Sequence, residues 1–504
     1  MKKLLLLLLL LPALISGQVL ETSLSNIYKL GFSEAIGIPS ADQGAAKYQV
    51  YPGEYNTYVR NPGTKLLYDI TSAGLNPANI SPLPGSPVIA DEDQPGQSWK
   101  GSAALHHAGF IDNTGNVWAI GQVTISGKSA ANGLVKTPVT NAVQVVAYAN
   151  GGDANGNGIA VLTKDGKVVL IGNTQSGMRG DGTEGNAAEP APYTVNLPVA
   201  IKKIQAGSYF FALGVDGKVY RWGGTRPDAY WSQFSCGAFS SKPNLTIPAA
   251  MVLPEPIVDI QGGADWSYAV GASGKIYVWG YDGRYWGNSA QSQKLQCFDI
   301  TASLKLPGTN GQLSIGTQAS YYLMPNGDAY AWGDNTEAQI GNGAEAKFAN
   351  GLAPWNGGLL WVFPPVKINP AGVSFVKLFT SIGDAFYVYA EDANGNLWVW
   401  GRNKGFVLWN GQGSTNSDTQ AAQPNFWDVL APMKIAGFGT IATTTPPPVV
   451  IPACPTCPTC PPPVVCPVPR TVLSVTITLF GVDITIPAAQ VKQITYDNGT
   501  TQLP

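Results

Sequence analysis

Six segments of the sequence repeat one pattern: an apolar strand, a turn with glycine, a second alternating strand and a terminal glycine. In every copy the terminal glycine follows the turn glycine by six residues. The turn glycines are Gly115, Gly166, Gly217, Gly274, Gly327 and Gly395. They are 51, 51, 57, 53 and 68 residues apart. Self-similarity at a nearly fixed period indicates a repeat architecture.

The period predicts which architecture this is. A unit of about 50 residues has room for the hairpin and two further strands, and four strands per unit form one blade of a β-propeller. A weaker hairpin pattern over residues 58–68 carries Gly63, which lies 52 residues before Gly115. The sequence therefore predicts an all-β fold, a seven-bladed β-propeller over residues 48–440.

A second repeated strand bears on how the ring closes. Before most hairpins lies a segment such as residues 198–207, which recurs at 254–262 and again at 432–437, where no hairpin follows. A strand without partners leaves a row of unpaired backbone groups. We therefore expect Lys434, Ile435 and Ala436 to pair with the first blade and close the propeller.

Residues 329–343, with Tyr330, Trp332, Gln339 and Gly341 in register, resemble the blade motif of the regulator of chromosome condensation (RCC1) repeat family. Two blades depart from the motif, with Ile120 and Ile171 in place of the tryptophan. The resemblance implies a seven-bladed propeller. It also implies protein binding, because a secreted bacterial member of this family inhibits β-lactamases through its loops. A shared fold does not by itself transfer a function.

The first 17 residues combine lysines, a leucine run and small residues before Gly17, as a secretory signal peptide does. The apolar run is short for a membrane span. We expect cleavage after Gly17, a lead-in over 18–47, no transmembrane span in the mature chain, and a secreted, extracellular or cell-surface protein. A periplasmic location and an uncleaved anchor are the alternatives.

The charge balance limits the class of partner. The chain has 30 basic and 32 acidic residues, and charged residues make up only 12% of it. No basic stripe is available to neutralise phosphates, so we expect no nucleic-acid binding.

Cysteine usage agrees with an oxidising compartment. Cys236 and Cys297 follow the terminal glycines of two successive units. Equivalent loops of adjacent blades lie side by side, so a disulfide between these two residues is one interpretation. Two independent buried thiols are the other.

The composition changes near residue 440. Residues 441–469 form a linker rich in proline and cysteine, which favours an extended polyproline II spacer. Residues 470–504 form a small β tail whose alternation around Gly481 predicts a hairpin. So short a tail cannot build a sufficient core alone.

The linker cysteines are spaced by multiples of three, and these are Cys454, Cys457, Cys460 and Cys466. Polyproline II has three residues per turn and rises about 3.1 Å per residue, so neighbouring thiols share one edge about 9 Å apart. A disulfide needs Cα atoms within about 7 Å. Interchain disulfides that link a homo-oligomer are our first interpretation; local bridges and a zinc site are the alternatives.

Catalytic residue types are scarce. The two histidines, His106 and His107, are adjacent in a strand and so point to opposite faces. Asp112, Asp165 and Asp216 belong to the repeated turns. The segment beginning at Asp153 matches the opening of a calcium loop, with a polar turn as the default interpretation. We expect no enzymatic activity, no metal and no cofactor.

Aromatic residues in the irregular segments are the candidate ligand-binding residues. They are Tyr230, Trp231, Phe234, Tyr285, Trp286, Trp355, Trp361, Phe406 and Trp409. Loops on a rigid scaffold commonly carry function, and tryptophan and tyrosine are favoured interface anchors. Local packing over loop backbone is the alternative interpretation.

These observations together predict a secreted or cell-surface binding protein for a protein or glycan. A propeller-based polysaccharide-active enzyme and a structural adhesin or appendage subunit remain as alternatives.

Overall fold

A computed structural model gives the fold of the chain. In the propeller it describes residues 48–53, 56–70, 82–92, 99–104, 107–125, 128–131, 133–149, 157–172, 174, 177–183, 189–206, 209–223, 245–262, 266–280, 298–343, 361–380, 386–403, 408 and 429–435. In the tail it describes residues 474–479, 482–487, 494–495 and 501–502. The chain divides into two compact units, residues 1–440 and 441–504.

The first unit is a seven-bladed propeller of antiparallel sheets. Blade 1 contains β1 (Gln49–Pro52), β2 (Thr57–Arg60) and β3 (Leu67–Asp69). Blade 2 contains β4 (Gly101–Ala103), β5 (His107–Ile111), β6 (Val117–Gly121) and β9 (Val135–Lys136), with a side ribbon of β7 (Thr124–Ile125) and β8 (Lys128–Ser129). Blade 3 contains β10 (Ala142–Ala149), β11 (Asn157–Thr163), β12 (Val168–Gly172) and β13 (Glu189–Thr194).

The next four blades repeat this order. Blade 4 contains β14 (Ile201–Ala206), β15 (Phe210–Gly214), β16 (Val219–Gly223) and β17 (Leu245–Ala250). Blade 5 contains β18 (Ile257–Gly262), β19 (Trp266–Gly271), β20 (Ile276–Gly280) and β21 (Phe298–Asp299), followed by the short helix α1 (Thr301–Leu304). Blade 6 contains β22 (Gln312–Gly316), β23 (Ala319–Leu323), β24 (Ala329–Asp334) and β25 (Trp361–Lys367). Blade 7 contains β26 (Phe375–Phe379), β27 (Tyr387–Asp392), β28 (Leu397–Gly401) and β29 (Val429–Lys434).

The tail unit contains two ribbons. In the first, β30 (Ser474–Leu479) pairs with β31 (Val482–Pro487). In the second, β32 (Ile494–Thr495) pairs with β33 (Thr501–Gln502).

The apolar core is divided among the seams between blades. The middle strands are buried on both faces, as the pattern of β16 and β20 shows, because each sheet lies between two others. Seven clusters of buried side chains result, one at each seam. Burial on both faces explains why these strands read as nearly continuous apolar runs.

The predicted turns form, with one correction. Gly115 has φ of 80°, and its N–H donates to the carbonyl oxygen of Asp112 at 2.9 Å. This left-handed conformation is the one that glycine adopts without strain. In blade 1 the turn is one residue longer, and Lys65 (φ 59°), not Gly63, occupies the left-handed position.

The prediction for ring closure is wrong. Lys434 pairs with Trp398 of β28, and the Ile435 N–H donates to the Leu397 carbonyl oxygen at 3.0 Å. β29 is therefore the fourth strand of blade 7. Among the described strands, none from the C-terminal side pairs with blade 1, whose outer side has instead a single bridge between Tyr68 and Pro82. Ile435 does pack among side chains of the first blade, but its backbone bonds belong to the seventh.

Candidate functional site

One face of the propeller carries the long connections. In blades 2 to 7 the third strand ends on this face and the fourth begins there, as the pairings Gly223 with Leu245 and Gly401 with Val429 show. We call this the loop face and define it by the third-strand ends Gly121, Gly172, Gly223, Gly280, Gly333 and Gly401. The opposite face carries the short turns at Gly115 and its equivalents.

The candidate aromatic residues belong to these connections. Trp361 is described: it is the first residue of β25 and pairs with Asp334. The other eight lie outside the described residues, in segments whose described ends are at the loop face. They are Tyr230, Trp231, Phe234, Tyr285, Trp286, Trp355, Phe406 and Trp409. All six cysteines and the segment 150–156 with Asp153 also lie outside the described residues.

Two described parts of these connections show how a loop is fixed to the next blade. The Trp400 Nε1–H donates to the carbonyl oxygen of Gln339 at 3.0 Å, and the Trp222 Nε1–H donates to that of Met178 at 2.8 Å. A Cβ on Gly341 would lie 2.6 Å from the Trp400 ring. Trp400 and Trp222 therefore hold the loop of the preceding blade, and glycine is required at position 341, where the loop crosses the Trp400 ring.

The innermost strands carry a polar position that the sequence reasoning missed. In each blade one residue of the first strand lies opposite the second-strand residue just before the turn, and we call these seven positions the inner ring. Its members are Gln49, Lys100, Gln144, Lys203, Asp259, Gln312 and Lys377. Alignment of segment 198–207 with 254–262 would have revealed the position, because Lys203 and Asp259 correspond there.

Inner-ring side chains link three successive pairs of blades, from blade 2 to blade 5. The Lys100 Nζ donates to the Val143 carbonyl oxygen at 3.0 Å. Gln144 donates through Nε2 to the Ile204 carbonyl oxygen at 2.9 Å and accepts from the Ile204 N–H at 2.8 Å. Lys203 forms an ion pair with Asp259 at 2.5 Å. These charges and amides are thus used to hold neighbouring blades in register.

Burial shifts the pKa of two inner-ring lysines, Lys203 and Lys377. It lowers the pKa of Lys203, and the Asp259 carboxylate opposes that effect. It also lowers the pKa of Lys377, against the opposing charges of Glu92 and Glu391. Burial raises the pKa of Glu92, although Lys377, Lys100 and two backbone N–H groups favour its charged form.

A small cavity lies on the axis, lined by residues from all seven blades. Its volume is about 110 Å³. Its polar lining includes the amides of Gln144, Gln205, Gln261 and Gln312 and the hydroxyls of Ser102 and Ser314. Since one water occupies about 30 Å³ and ligand pockets usually exceed about 300 Å³, the cavity suits a few waters.

The titratable residues singled out in the sequence take structural roles where they are described. The His107 Nε2 is 2.8 Å from the carbonyl oxygen of Gly158 in the next blade, and His106 lies outside the described residues. Asp112 accepts hydrogen bonds within its own turn and from the Trp118 Nε1–H at 2.9 Å. Nowhere in the described ranges do three or more His, Cys, Asp or Glu side chains gather closely enough to hold a metal ion.

The turn at Asp112 gives a pH prediction. Burial alone would raise the pKa of Asp112, but hydrogen bonds from Trp118, Thr114 and Asn116 outweigh it and lower the pKa from 3.8 to about 2. A depressed carboxyl pKa stabilises the fold above the unfolded-state pKa and loses that contribution as the pH falls toward the folded-state value. We expect Asp112→Asn to lower stability at pH 7 and to flatten the pH dependence between about pH 4 and 2.

Urea unfolding of the wild type and Asp112→Asn at several pH values measures this effect. The matched control is Asp165→Asn, because Asp165 occupies an exposed repeated turn and pairs with Lys167 without a tryptophan donor. Parallel pH profiles for wild type and Asp112→Asn would contradict the prediction.

Sequence comparisons find relatives with the same repeat, although no family model matches the chain. The human E3 ubiquitin-protein ligase HERC2 is 26% identical over 365 residues, which are 68% of this chain and 7% of HERC2. An RCC1 repeat-containing protein of Dictyostelium discoideum is 26% identical over 256 residues, 47% of each chain. The human regulator of chromosome condensation is 25% identical over 213 residues, 39% of this chain and 50% of that protein.

A matching solved structure shows the same fold. Yeast RCC1 (Prp20), in its complex with Kap60, superposes with a TM-score of 0.50 at 17% identity, covering 68% of this chain and 75% of that one. The sequence relatives and the fold together support a relationship to the RCC1 repeat family. The chain spans half or less of the length of these curated relatives. Within the described part of the RCC1-like chain, no helix has both the length and the apolar character needed to cross a membrane.

Proposed function

We propose that this RCC1-like propeller is a binding protein that uses its loop face to hold a protein partner. The observation that carries the proposal is the unequal use of the two faces. The face opposite the loop face has tight turns such as that at Asp112. The long connections start from strand ends on the loop face, and they include segments 224–244, 281–297, 344–360 and 404–428. A rigid ring with variable loops on one side suits recognition.

The relatives agree with this proposal. One is named a regulator of chromosome condensation, and yeast RCC1 has been solved bound to Kap60. The axial cavity favours binding over catalysis, since its described lining consists of amides, hydroxyls and apolar groups and its volume is small. A glycan ligand, a polysaccharide-active enzyme and an adhesin are the alternative functions.

The location of the protein is part of the proposal. The leucine-rich start with its two lysines supports export, so we place the propeller outside the cell or at its surface. The low fraction of charged residues gives no support for a nucleic-acid partner.

The loop aromatics provide the test. We expect Trp231→Ala, Trp286→Ala and Trp355→Ala each to weaken partner binding by about 2 kcal/mol, on the order of thirtyfold in Kd, as interface anchors do. Capture from the native cell surface identifies the partner, and a glycan array run alongside tests the glycan alternative. Titration calorimetry with the purified partner then gives the Kd of each variant.

The melting temperature separates binding from folding. The three variants should melt close to the wild type, while Trp332→Ala should destabilise the ring because Trp332 is fully buried and its Nε1–H donates to the Tyr268 hydroxyl at 3.3 Å. If the loop variants unfold the protein and leave the Kd unchanged, the loop aromatics are packing residues and the binding site is elsewhere.

The linker supports a further part of the proposal, covalent assembly. The shared edge of Cys454, Cys457, Cys460 and Cys466 favours pairing between chains. We expect the oxidised protein to run as a dimer or larger species without reductant and as a monomer with it. Serine at all four positions should abolish the shift, and Cys236→Ser should not. A monomer under both conditions would contradict interchain pairing and leave local disulfides or a zinc site as the explanation for the four cysteines.

A further inference from the structure

Arg221 is a buried cation at a position where blades 2, 3, 5, 6 and 7 have apolar residues. It lies on the third strand of blade 4, and its equivalents include Ala119, Leu170 and Val278. The residue is 3% exposed. Burial lowers the pKa of the guanidinium to about 10, against the opposing effect of Tyr209, so it is charged at pH 7.

No described carboxylate forms an ion pair with this guanidinium. Its neighbour is the Tyr209 ring, whose centroid lies 4.3 Å from Cζ. Among the described residues, none is a hydrogen-bond partner of the Arg221 Nε. A cation–π contact stabilises the guanidinium by less than an uncompensated buried charge costs.

A second buried donor lies at the same seam. Arg221 pairs across the sheet with Phe211, and the Phe211 ring contacts Trp279 of blade 5 edge to face at 5.6 Å. In the part of the chain that the structure describes, the buried Trp279 Nε1 has no acceptor, whereas Trp222 and Trp400 have one. Trp279 and Tyr209 are both next to strand ends on the loop face.

We propose that Arg221, Tyr209 and Trp279 form a carboxylate site at the seam between blades 4 and 5, which takes an acidic side chain of a protein partner on the loop face. The inference rests on the proposed function. A carboxylate supplies both the charge that Arg221 lacks and acceptor oxygens for the two free N–H groups.

The local sequence favours an acidic partner. Segments 224–244 and 281–297 each contain two basic residues and one acidic residue, while the whole chain has a net charge of −2. Basic segments are complementary to acidic groups, and segment 224–244 begins three residues after Arg221 in the sequence. The candidate anchors Trp231 and Trp286 are in the same two segments.

The test uses the full oxidised chain and a defined probe, the blocked peptide acetyl-Glu-Glu-Glu-Glu-amide, with the corresponding glutamine peptide as control. Calorimetry should show saturable binding of the glutamate peptide and at least tenfold weaker binding of the glutamine peptide. Arg221→Met should weaken glutamate-peptide binding at least tenfold. It should melt at or above the wild-type temperature, because an apolar side chain of similar volume replaces an unpaired charge.

Two further variants keep the result decisive. Arg221→Lys retains the charge without the planar fork and should weaken binding severalfold. Lys203→Met removes a different buried cation, one that already has Asp259 as its partner, and should leave peptide binding unchanged. Equal binding of both peptides, or undiminished binding by both Arg221 variants, overturns the proposal.

A carboxylate from the chain itself would also overturn it. Asp265 is next to Trp266 and is the candidate for that role. Strong coupling between Asp265→Asn and Arg221→Met in a double-mutant cycle of stability would show an internal pair. Partner capture that needs Trp231 but not Arg221 rejects the carboxylate site and keeps the proposed function. If Arg221 binds the glutamate peptide but no protein partner is captured at the loop face, the carboxylate site is kept and the proposed function is rejected.

Discussion

Replacing Trp400 with alanine is expected to lower the free energy of unfolding by about 3–5 kcal/mol, the range for large buried aromatic residues. Trp400 is fully buried at the seam between blades 6 and 7. Its ring stacks on Phe375 with centroids 6.1 Å apart, and Gly341 passes directly against it. Truncation leaves a cavity that two rigid sheets cannot collapse to fill.

The same substitution should release the loop over residues 335–343. The Gln339 carbonyl oxygen accepts from the Trp400 Nε1–H, and the Gly343 N–H donates to Leu430 of the next blade. We expect hydrogen exchange in this segment to accelerate in Trp400→Ala beyond the change in the blade strands.

Trp400→Phe is the matched control. It retains most of the buried ring and removes the donor, and Gln339 keeps the Tyr321 hydroxyl as a partner at 2.6 Å. The loss should be about 1 kcal/mol. Urea unfolding measures all three proteins, and a loss below about 1 kcal/mol for Trp400→Ala would show that the repeat tryptophans do not hold the seams.

The blade hairpins could be predicted because their signal is local. A turn glycine, an alternating strand and a terminal glycine lie within a dozen residues, and the repetition multiplies a weak pattern six times. Even so, blade 1 shows the limit of matching letters. Gly63 lies where the repeat pattern predicts a turn glycine. However, the Asn61 side chain accepts hydrogen bonds from the Gly63 and Thr64 N–H groups, and the left-handed residue of this turn is Lys65.

Pairing between distant strands could not be predicted in the same way. The segment 432–437 resembles a first strand, yet its first part forms the fourth strand of blade 7, because the edge of β28 is near in sequence and needs a partner. The inner ring could not be predicted either. In the sequence, Lys203 and Lys377 look like solvent-exposed charges, and only the packing of the neighbouring blade buries them. The aromatic residues in the long connections do not recur at fixed positions of the repeat. The sequence alone therefore predicts that they belong to the loop face, but not which of them form one site.

Replacing Tyr387 with alanine should open the seam between blades 7 and 1. At this seam the two sheets are not joined by a connection in sequence, and among described strands none is exchanged across it. The Tyr387 hydroxyl donates to the Gly53 carbonyl oxygen and accepts from the Thr57 hydroxyl at 2.8 Å. The Tyr48 N–H adds a bond to the Glu391 carboxylate at 2.8 Å.

The expected loss for Tyr387→Ala is about 4 kcal/mol, from the cavity and from the loss of two buried hydrogen bonds. Tyr387→Phe should lose about 1–2 kcal/mol through the hydrogen bonds alone. His107 occupies the equivalent position in blade 2, where the chain runs on into blade 3, so His107→Ala is the matched control.

Loss of cooperativity is the specific signature of this seam. When Tyr387→Ala is heated, blade 1 should separate in a transition of its own, with early proteolysis between residues 48 and 70. The reason is that no described strand is shared with blade 7 and each described hydrogen bond across the seam depends on a side chain. His107→Ala should lower the melting temperature and keep a single transition. Single transitions of equal shift in both variants would mean that the seam between first and last blade is no weaker than the others, and that a contact beyond Tyr387, Thr57 and Glu391 closes the ring.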